Sequence, residues 1–181
     1  MKLKGIFFDL DETLIHSSFH NNKKRGLLFN EKILPFDSRL GRYVVEKRPI
    51  ADKLIKIAHE KFGQDNVHML TAATRDYAFE VIDLWGFPFK RGSVLAREDM
   101  SEWREDRVAR FHKENLLIDN QKPLEYNAEE KMKFLGIDST RLFSISEFTG
   151  ALHSRMEKAL EKCELIRWEK FLIGLKAQNN A

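Results

Sequence analysis

Only one cysteine, Cys163, occurs in the 181 residues. An intrachain disulfide needs two and a thiolate metal cluster needs more, so both are excluded, and a reducing compartment is the default expectation. Cys163 itself reads as a small residue on a C-terminal helix. Apolar runs of membrane length are also missing: the stretch 5–10 is too short for a signal-peptide core and is broken by Asp9. The expected location is therefore the cytoplasm, or the nucleus in a eukaryote, without membrane contact. Charge of one sign is scarce too. With 31 Lys and Arg against 28 Asp and Glu the formal net charge is +3, too weak for a dedicated nucleic-acid binder but no obstacle to an anionic ligand. No His, Cys and Asp residues fall at zinc-finger spacing. Internal repeats, low-complexity tracts and linkers are absent as well, so residues 1–181 are expected to form a single domain.

What the chain does contain is an alternation of short apolar runs and amphipathic segments. Strands are expected at 4–8, 67–70, 93–96, 116–118 and 141–145, with a strand or hairpin arm at 40–46 leading to Pro49, a helix-opening residue. Helices are expected at 51–62, from Thr74 as N-cap to Gly86, at 101–113, at 125–135 and, amphipathically, at 151–175. Residues 19–41 are polar, punctuated by Gly and Pro, and carry the basic run Lys23-Lys24-Arg25; they read as an insertion or flap. Alternating β and α elements predict an α/β fold with a Rossmann-like, doubly wound, mainly parallel sheet and helices on both faces.

Three of the apolar strands run directly into a polar residue. Asp9, Thr71 and Asp119 follow Phe8, Leu70 and Ile118. In a parallel sheet these ends lie side by side on the rim where open α/β sheets bind ligands. Asp9 and Asp11, two residues apart, repel one another unless a cation or shared proton intervenes, and phosphate chemistry uses both remedies. These residue types point to phosphoryl transfer: Asp9 as nucleophile, Asp11 as acid and then base, Thr13 binding a phosphoryl oxygen or fixing the loop. Thr71 suits a second phosphoryl-oxygen contact, with Ala72 beside it among the substrate-binding residues. Asp119 suits a hard cation, with Asn120 next to the metal or serving the turn. Each residue also has a plainer reading, as an acidic helix cap at Asp11-Glu12-Thr13, a cap at Thr71 and an Asx turn at Asp119.

The segment Asp9-Leu10-Asp11-Glu12-Thr13-Leu14-Ile15-His16-Ser17 resembles the first motif of the haloacid dehalogenase superfamily, in its branch of RNA polymerase C-terminal-domain phosphatases (NLI-interacting-factor-like). Tyr43-Val44-Val45-Glu46-Lys47-Arg48-Pro49, and Met69-Leu70-Thr71-Ala72-Ala73-Thr74-Arg75-Asp76-Tyr77-Ala78, resemble the same branch. The resemblance implies a phosphatase working through an aspartyl-phosphate, with Mg2+ on the Asp9 side chain, the Asp11 main-chain carbonyl and Asp119.

The superfamily's phosphate-neutralising cation is usually a lysine. Lys113 is expected far from the rim, at the end of a helix running away from it, so Arg97 and Arg104 are the predicted cations. Neither gap between motifs holds a helical cap, and an open site suits phosphate carried on a macromolecule whose bulk covers the chemistry. Lys23, Lys24 and Arg25 are then substrate-steering candidates. A phosphoprotein leads as substrate. A nucleic-acid end with a 3'-phosphate, a small molecule in a self-capping oligomer, and a non-catalytic binding module on the same fold are the alternatives. His16 and His68 read as structural histidines, and Phe7, Phe8, Phe79, Trp85 and Phe87 as core.

Overall fold

A computed structural model describes residues 5–20, 31–38, 41–101, 115–121, 126–150 and 155–179. Its main sheet has five parallel strands: β1 (Gly5–Phe8), β5 (Val67–Leu70), β6 (Val94–Leu95), β7 (Asn115–Asp119) and β8 (Leu142–Ser144), in the order β6-β5-β1-β7-β8. The chain fills one side of β1 first and then the other. The direction of winding therefore reverses at β1, and β1 and β7 flank the switch-point crevice where such sheets bind ligands. Phe8 pairs with Ile118, and the Asp9 N–H continues the ladder to the Ile118 carbonyl at 2.9 Å.

Period-two alternation divides the core between the two faces of the sheet. Ile6, Phe8, Leu116 and Ile118 pack with α1 (Ala51–Phe62), α2 (Arg75–Trp85) and α5 (Arg155–Asn179), whose Trp168 is fully buried against Phe8 and Phe143. Phe7 and Leu117 face the other way, onto Met132, Phe134 and Leu135 of α4 (Tyr126–Leu135). Helices on both faces follow, as the alternation of elements predicts. Of the five aromatics expected in the core, Phe7, Phe8 and Phe87 are buried, and Phe79 and Trp85 pack partly buried against it.

Two local expectations are corrected. Both described ends of the 19–41 insertion are strand: β2 (Ile15–His20) and β3 (Glu31–Ser38) flank β4 (Gly41–Lys47) in an antiparallel sheet. Its alternation is obscured by Pro35, where the register shifts between Ile33 and Asp37. Lys32 fastens this sheet to the body, donating to the Leu84 carbonyl at 2.6 Å with its ammonium 4.3 Å from the centre of the Trp85 ring. The helix expected at 101–113 lies, beyond Ser101, outside the described residues; ahead of it the short α3 (Arg97–Ser101) has its first turn closed by the Asp99 carboxylate, which accepts the Ala96 N–H at 2.9 Å. Thr74 does hold the N-cap position of α2, but its side chain makes no capping bond. The Glu98 carboxylate accepts the Arg75 N–H instead, at 3.1 Å.

Candidate active site

Asp9 leaves β1 at the carboxyl rim and is 4 % exposed. Its neighbours on the rim are Asp119, fully buried at the end of β7, and Thr71, just beyond β5. Lys131 joins the two carboxylates: its Nζ donates to Asp9 Oδ1 at 2.6 Å and to Asp119 Oδ2 at 2.7 Å. It belongs to α4, and because a helical side chain leans toward the helix N-terminus, Lys131 points back to the rim where that helix begins. Burial alone would depress its pKa; Asp9 and Asp119 more than reverse that, and the ammonium is held.

This lysine is a source of positive charge beyond the two expected arginines. Arg97 is exposed and its Nε donates to the Ala72 carbonyl at 2.7 Å, so it lines the rim beside Thr71 while Lys131 occupies Asp9. Arg104 and the run Lys23-Lys24-Arg25 lie outside the described residues. A signal for Lys131 did exist. Ala128, Met132 and Leu135 form the buried stripe of α4, and Lys131 falls on it. A lysine on an apolar helical face is almost never buried without partners.

Among the described residues one ammonium faces two carboxylates, so there one negative charge is left over in a buried place. The consequence shows at Asp9, whose carboxyl is pushed up to about 7, first by burial and then by Asp119 and Asp11, against the opposing pull of Lys131. Among the described residues, Asp9 Oδ2 receives a long 3.2 Å bond from Thr13 Oγ1. Among the described residues no cluster of three or more His, Cys, Asp or Glu side chains is placed to hold a metal. The donors that meet at Lys131 are two carboxylates, those of Asp9 and Asp119. An all-oxygen set with surplus negative charge fits a hard divalent cation.

Asp11 is directed differently. Its Oδ1 accepts from Tyr77 Oη at 2.7 Å and from Ser17 Oγ at 3.4 Å, and burial raises its pKa in spite of both bonds. Burial and the Asp11 charge raise the Tyr77 hydroxyl in turn and keep it a donor. A carboxyl raised by desolvation and aimed by a phenol is suited to carry a proton. Tyr77, in the first turns of α2, is a site residue that sequence reasoning missed.

Thr13 ties the loop after β1 to the end of β7. Fully buried, its hydroxyl accepts the Asn120 N–H at 3.0 Å and lies within donating distance of Asp9 Oδ2 and of Asn120 Oδ1, the latter at 3.4 Å. Asn120 thus meets Thr13 through both its N–H and its side-chain oxygen. The Asx turn expected as an alternative at Asp119 exists alongside its site role, since Oδ1 accepts the Gln121 N–H at 2.8 Å while Oδ2 holds Lys131. Thr71 Oγ1 accepts the Ala73 N–H at 3.1 Å, which leaves its hydroxyl proton for an acceptor at the rim. Glu12 adopts φ 60°, and its carboxylate meets His16 Nδ1 at 2.8 Å. His68 stacks on Phe7. Both histidines are structural, as read.

The model of one protein family, the NLI interacting factor-like phosphatases, matches residues 4–141. The chain belongs to that family. As a member of the NLI interacting factor-like phosphatases it also shares its fold with two solved structures. The fission yeast RNA polymerase II CTD phosphatase Fcp1 bound to beryllium fluoride superposes with a TM-score of 0.51 at 15 % identity, over 98 % of this chain and 55 % of that one. A second structure of Fcp1, described as an essential RNA polymerase II CTD phosphatase, gives 0.50 at 17 % identity, over 97 % and 50 %. The chain thus spans about half the length of these relatives. No curated protein sequence matches it. The family match ends at Arg141, so β8 and α5 lie beyond the segment that defines the family.

Proposed function

We propose that this NLI interacting factor-like phosphatase is a Mg2+-dependent phosphomonoesterase that forms an aspartyl-phosphate on Asp9, with a phosphorylated protein as substrate. The observation that carries the reading is the Asp9–Lys131–Asp119 bridge at the switch point, with the raised Asp11 carboxyl two residues on. The Asp9 and Asp119 carboxylates and the Asp11 carbonyl would hold Mg2+, which supplies charge neutralisation to phosphoryl oxygens when bound.

In the first step an Asp9 carboxylate oxygen forms a bond to phosphorus as the ester P–O bond breaks. The proton on Asp11 goes to the leaving oxygen, which departs as the alcohol. Lys131 offsets charge on Asp9 and on the transferring group throughout. In the second step Asp11, now ionised, takes a proton from water as the water oxygen attacks phosphorus. The Asp9–phosphorus bond breaks and inorganic phosphate leaves. Tyr77 and Ser17 keep Asp11 aimed during both transfers.

A protein substrate is supported by family membership and by the Fcp1 neighbours, which are described as CTD phosphatases. The test is hydrolysis of a chromogenic phosphomonoester with and without Mg2+, followed by a phosphopeptide and a 3'-phosphorylated oligonucleotide. Asp9→Asn should abolish turnover and the hydroxylamine-sensitive phosphoenzyme while the chain stays folded. Phosphate release by that variant near the wild-type rate sinks the covalent mechanism. The phosphopeptide should give the highest kcat/KM. An oligonucleotide that wins, with an advantage falling steeply in salt, transfers the reading to nucleic-acid ends. Changing Lys23, Lys24 and Arg25 to Ser should lower kcat/KM on the preferred polymer and leave the small ester unaffected.

A further inference from the structure

Outside the active site, and among the described residues, Arg48 is a side chain whose every donor is used. It is fully buried, directly before the turn into α1. Its Nε donates to Glu161 Oε2 at 3.0 Å and Oε1 at 3.1 Å, and its Nη2 donates to Glu161 Oε1 at 2.7 Å and Ser146 Oγ at 3.3 Å. Its Nη1 donates to the Ser146 carbonyl at 2.9 Å and to the Thr13 carbonyl at 3.1 Å. All five guanidinium N–H groups have acceptors.

Those acceptors lie on three segments: the loop after β1, the loop after β8, and α5. The loop after β1 is the one that carries Asp11. Beyond Asp11, three consecutive carbonyls are each held: Glu12 by the Phe148 N–H at 2.8 Å, Thr13 by Arg48 Nη1, and Leu14 by the Arg48 N–H at 2.9 Å. Donors for all three come from residues 48 and 148, and the Arg48 side chain ties those two stretches together through Ser146. Glu161, 7 % exposed, anchors the guanidinium from α5.

We infer that Arg48 is a positioning residue for Asp11, and that α5, through Glu161, is part of the working phosphatase although it lies beyond the family-defining segment. The inference rests on the phosphatase reading for its kinetic consequence. A guanidinium is required because the positions are fixed by a planar fork that reaches a carboxylate on one edge and two main-chain carbonyls on the other. An ammonium can replace the charge but not the span.

The test separates position from stability. Removing one member of a buried pair strands the other, so Arg48→Met alone is expected to unfold readily. The double variant Arg48→Met with Glu161→Leu removes both charges at similar volume and should stay folded. Its kcat should fall by ~10- to 100-fold with KM for a small ester within threefold, because a displaced proton donor slows the chemistry and not the binding. Arg48→Lys should show the same split, more mildly. Hydrogen exchange supplies a reading that needs no activity: amides of Leu14 and Ile15, which bond to the Leu10 carbonyl, should exchange faster in both variants, while Met69 and Leu70 in β5 stay protected. Wild-type kcat in a folded double variant, or exchange that accelerates equally in both places, overturns the inference. Local acceleration at Leu14 in a protein that never hydrolyses phosphomonoesters upholds the positioning role and refutes the phosphatase reading instead.

Discussion

Lys131→Met removes the single ammonium between Asp9 and Asp119, and its effect is worked out from the contacts. The lysine is 3 % exposed, so solvent cannot replace it. Breaking a buried ion pair from one side costs about 3–5 kcal/mol because the remaining charge is stranded. Asp9, already pushed up to about 7, relieves part of that by taking a proton, which places the loss in metal-free neutral buffer near the lower end of this range. The rate consequence is separate. A preorganised charge at the transferring group is worth roughly 10^2- to 10^3-fold in kcat. Arg97→Ala is the matched control, since that side chain is exposed and, among the described residues, donates to the Ala72 carbonyl, a bond worth about 0.5–1.5 kcal/mol. Urea midpoints in EDTA give the stabilities, and kcat/KM on a chromogenic ester with Mg2+ gives the rates. If Arg97→Ala loses more activity than Lys131→Met, or if Lys131→Met keeps both its midpoint and its turnover, the assignment of the site cation is wrong.

Two further perturbations test the loop around Asp11. Tyr77→Phe removes the 2.7 Å bond that lowers the Asp11 pKa; the pH limb of kcat due to Asp11 should therefore move upward, with a loss of about tenfold in rate, as a hydrogen bond to a charged group is worth ~1.5–3 kcal/mol. An unmoved limb would detach Tyr77 from proton transfer. Glu12→Val places a β-branched residue at φ 60° and should destabilise by about 1–2 kcal/mol relative to Glu12→Gly, read from the two urea midpoints; equal midpoints would mean that the backbone there relaxes without cost.

The residues visible in the sequence were those at strand ends. Asp9, Thr71 and Asp119 could be placed together before any coordinates because parallel strands end on one rim, and an apolar run that stops at a polar residue marks that end. The antiparallel β2-β4-β3 sheet was harder to see, since β2 finds its partner β4 some thirty residues along and Pro35 interrupts the alternation in β3. Lys131 lies past Asp119 in the chain, and what marks it is its helical phase in α4, not its place next to a strand end. Arg48 carried no chemical signal at all. Its role depends on Glu161, which is 113 residues distant, and only the packing of α5 brings the two together.

Arg48 and Lys131 also show how a buried charge that organises the fold differs from one that serves the chemistry. Around Arg48 every donor is matched, with the Glu161 carboxylate and three further oxygen acceptors surrounding one guanidinium. That arrangement is closed: an added cation or anion would find no unmet charge. Among the described residues around Lys131 the carboxylates outnumber the ammonium, and Asp9 holds its proton far above the usual carboxylate range, first because it is buried and then because Asp119 and Asp11 lie close. A buried site left short of positive charge is costly to the isolated chain, and its cost falls when a metal ion arrives. The imbalance at Asp9 is thus the physical reason to expect that Mg2+ raises the stability of this protein as well as its activity. A shift of the urea midpoint upward with Mg2+, lost in Asp119→Asn, would express it; a midpoint indifferent to Mg2+ in the wild type would show that Lys131 alone satisfies the pair.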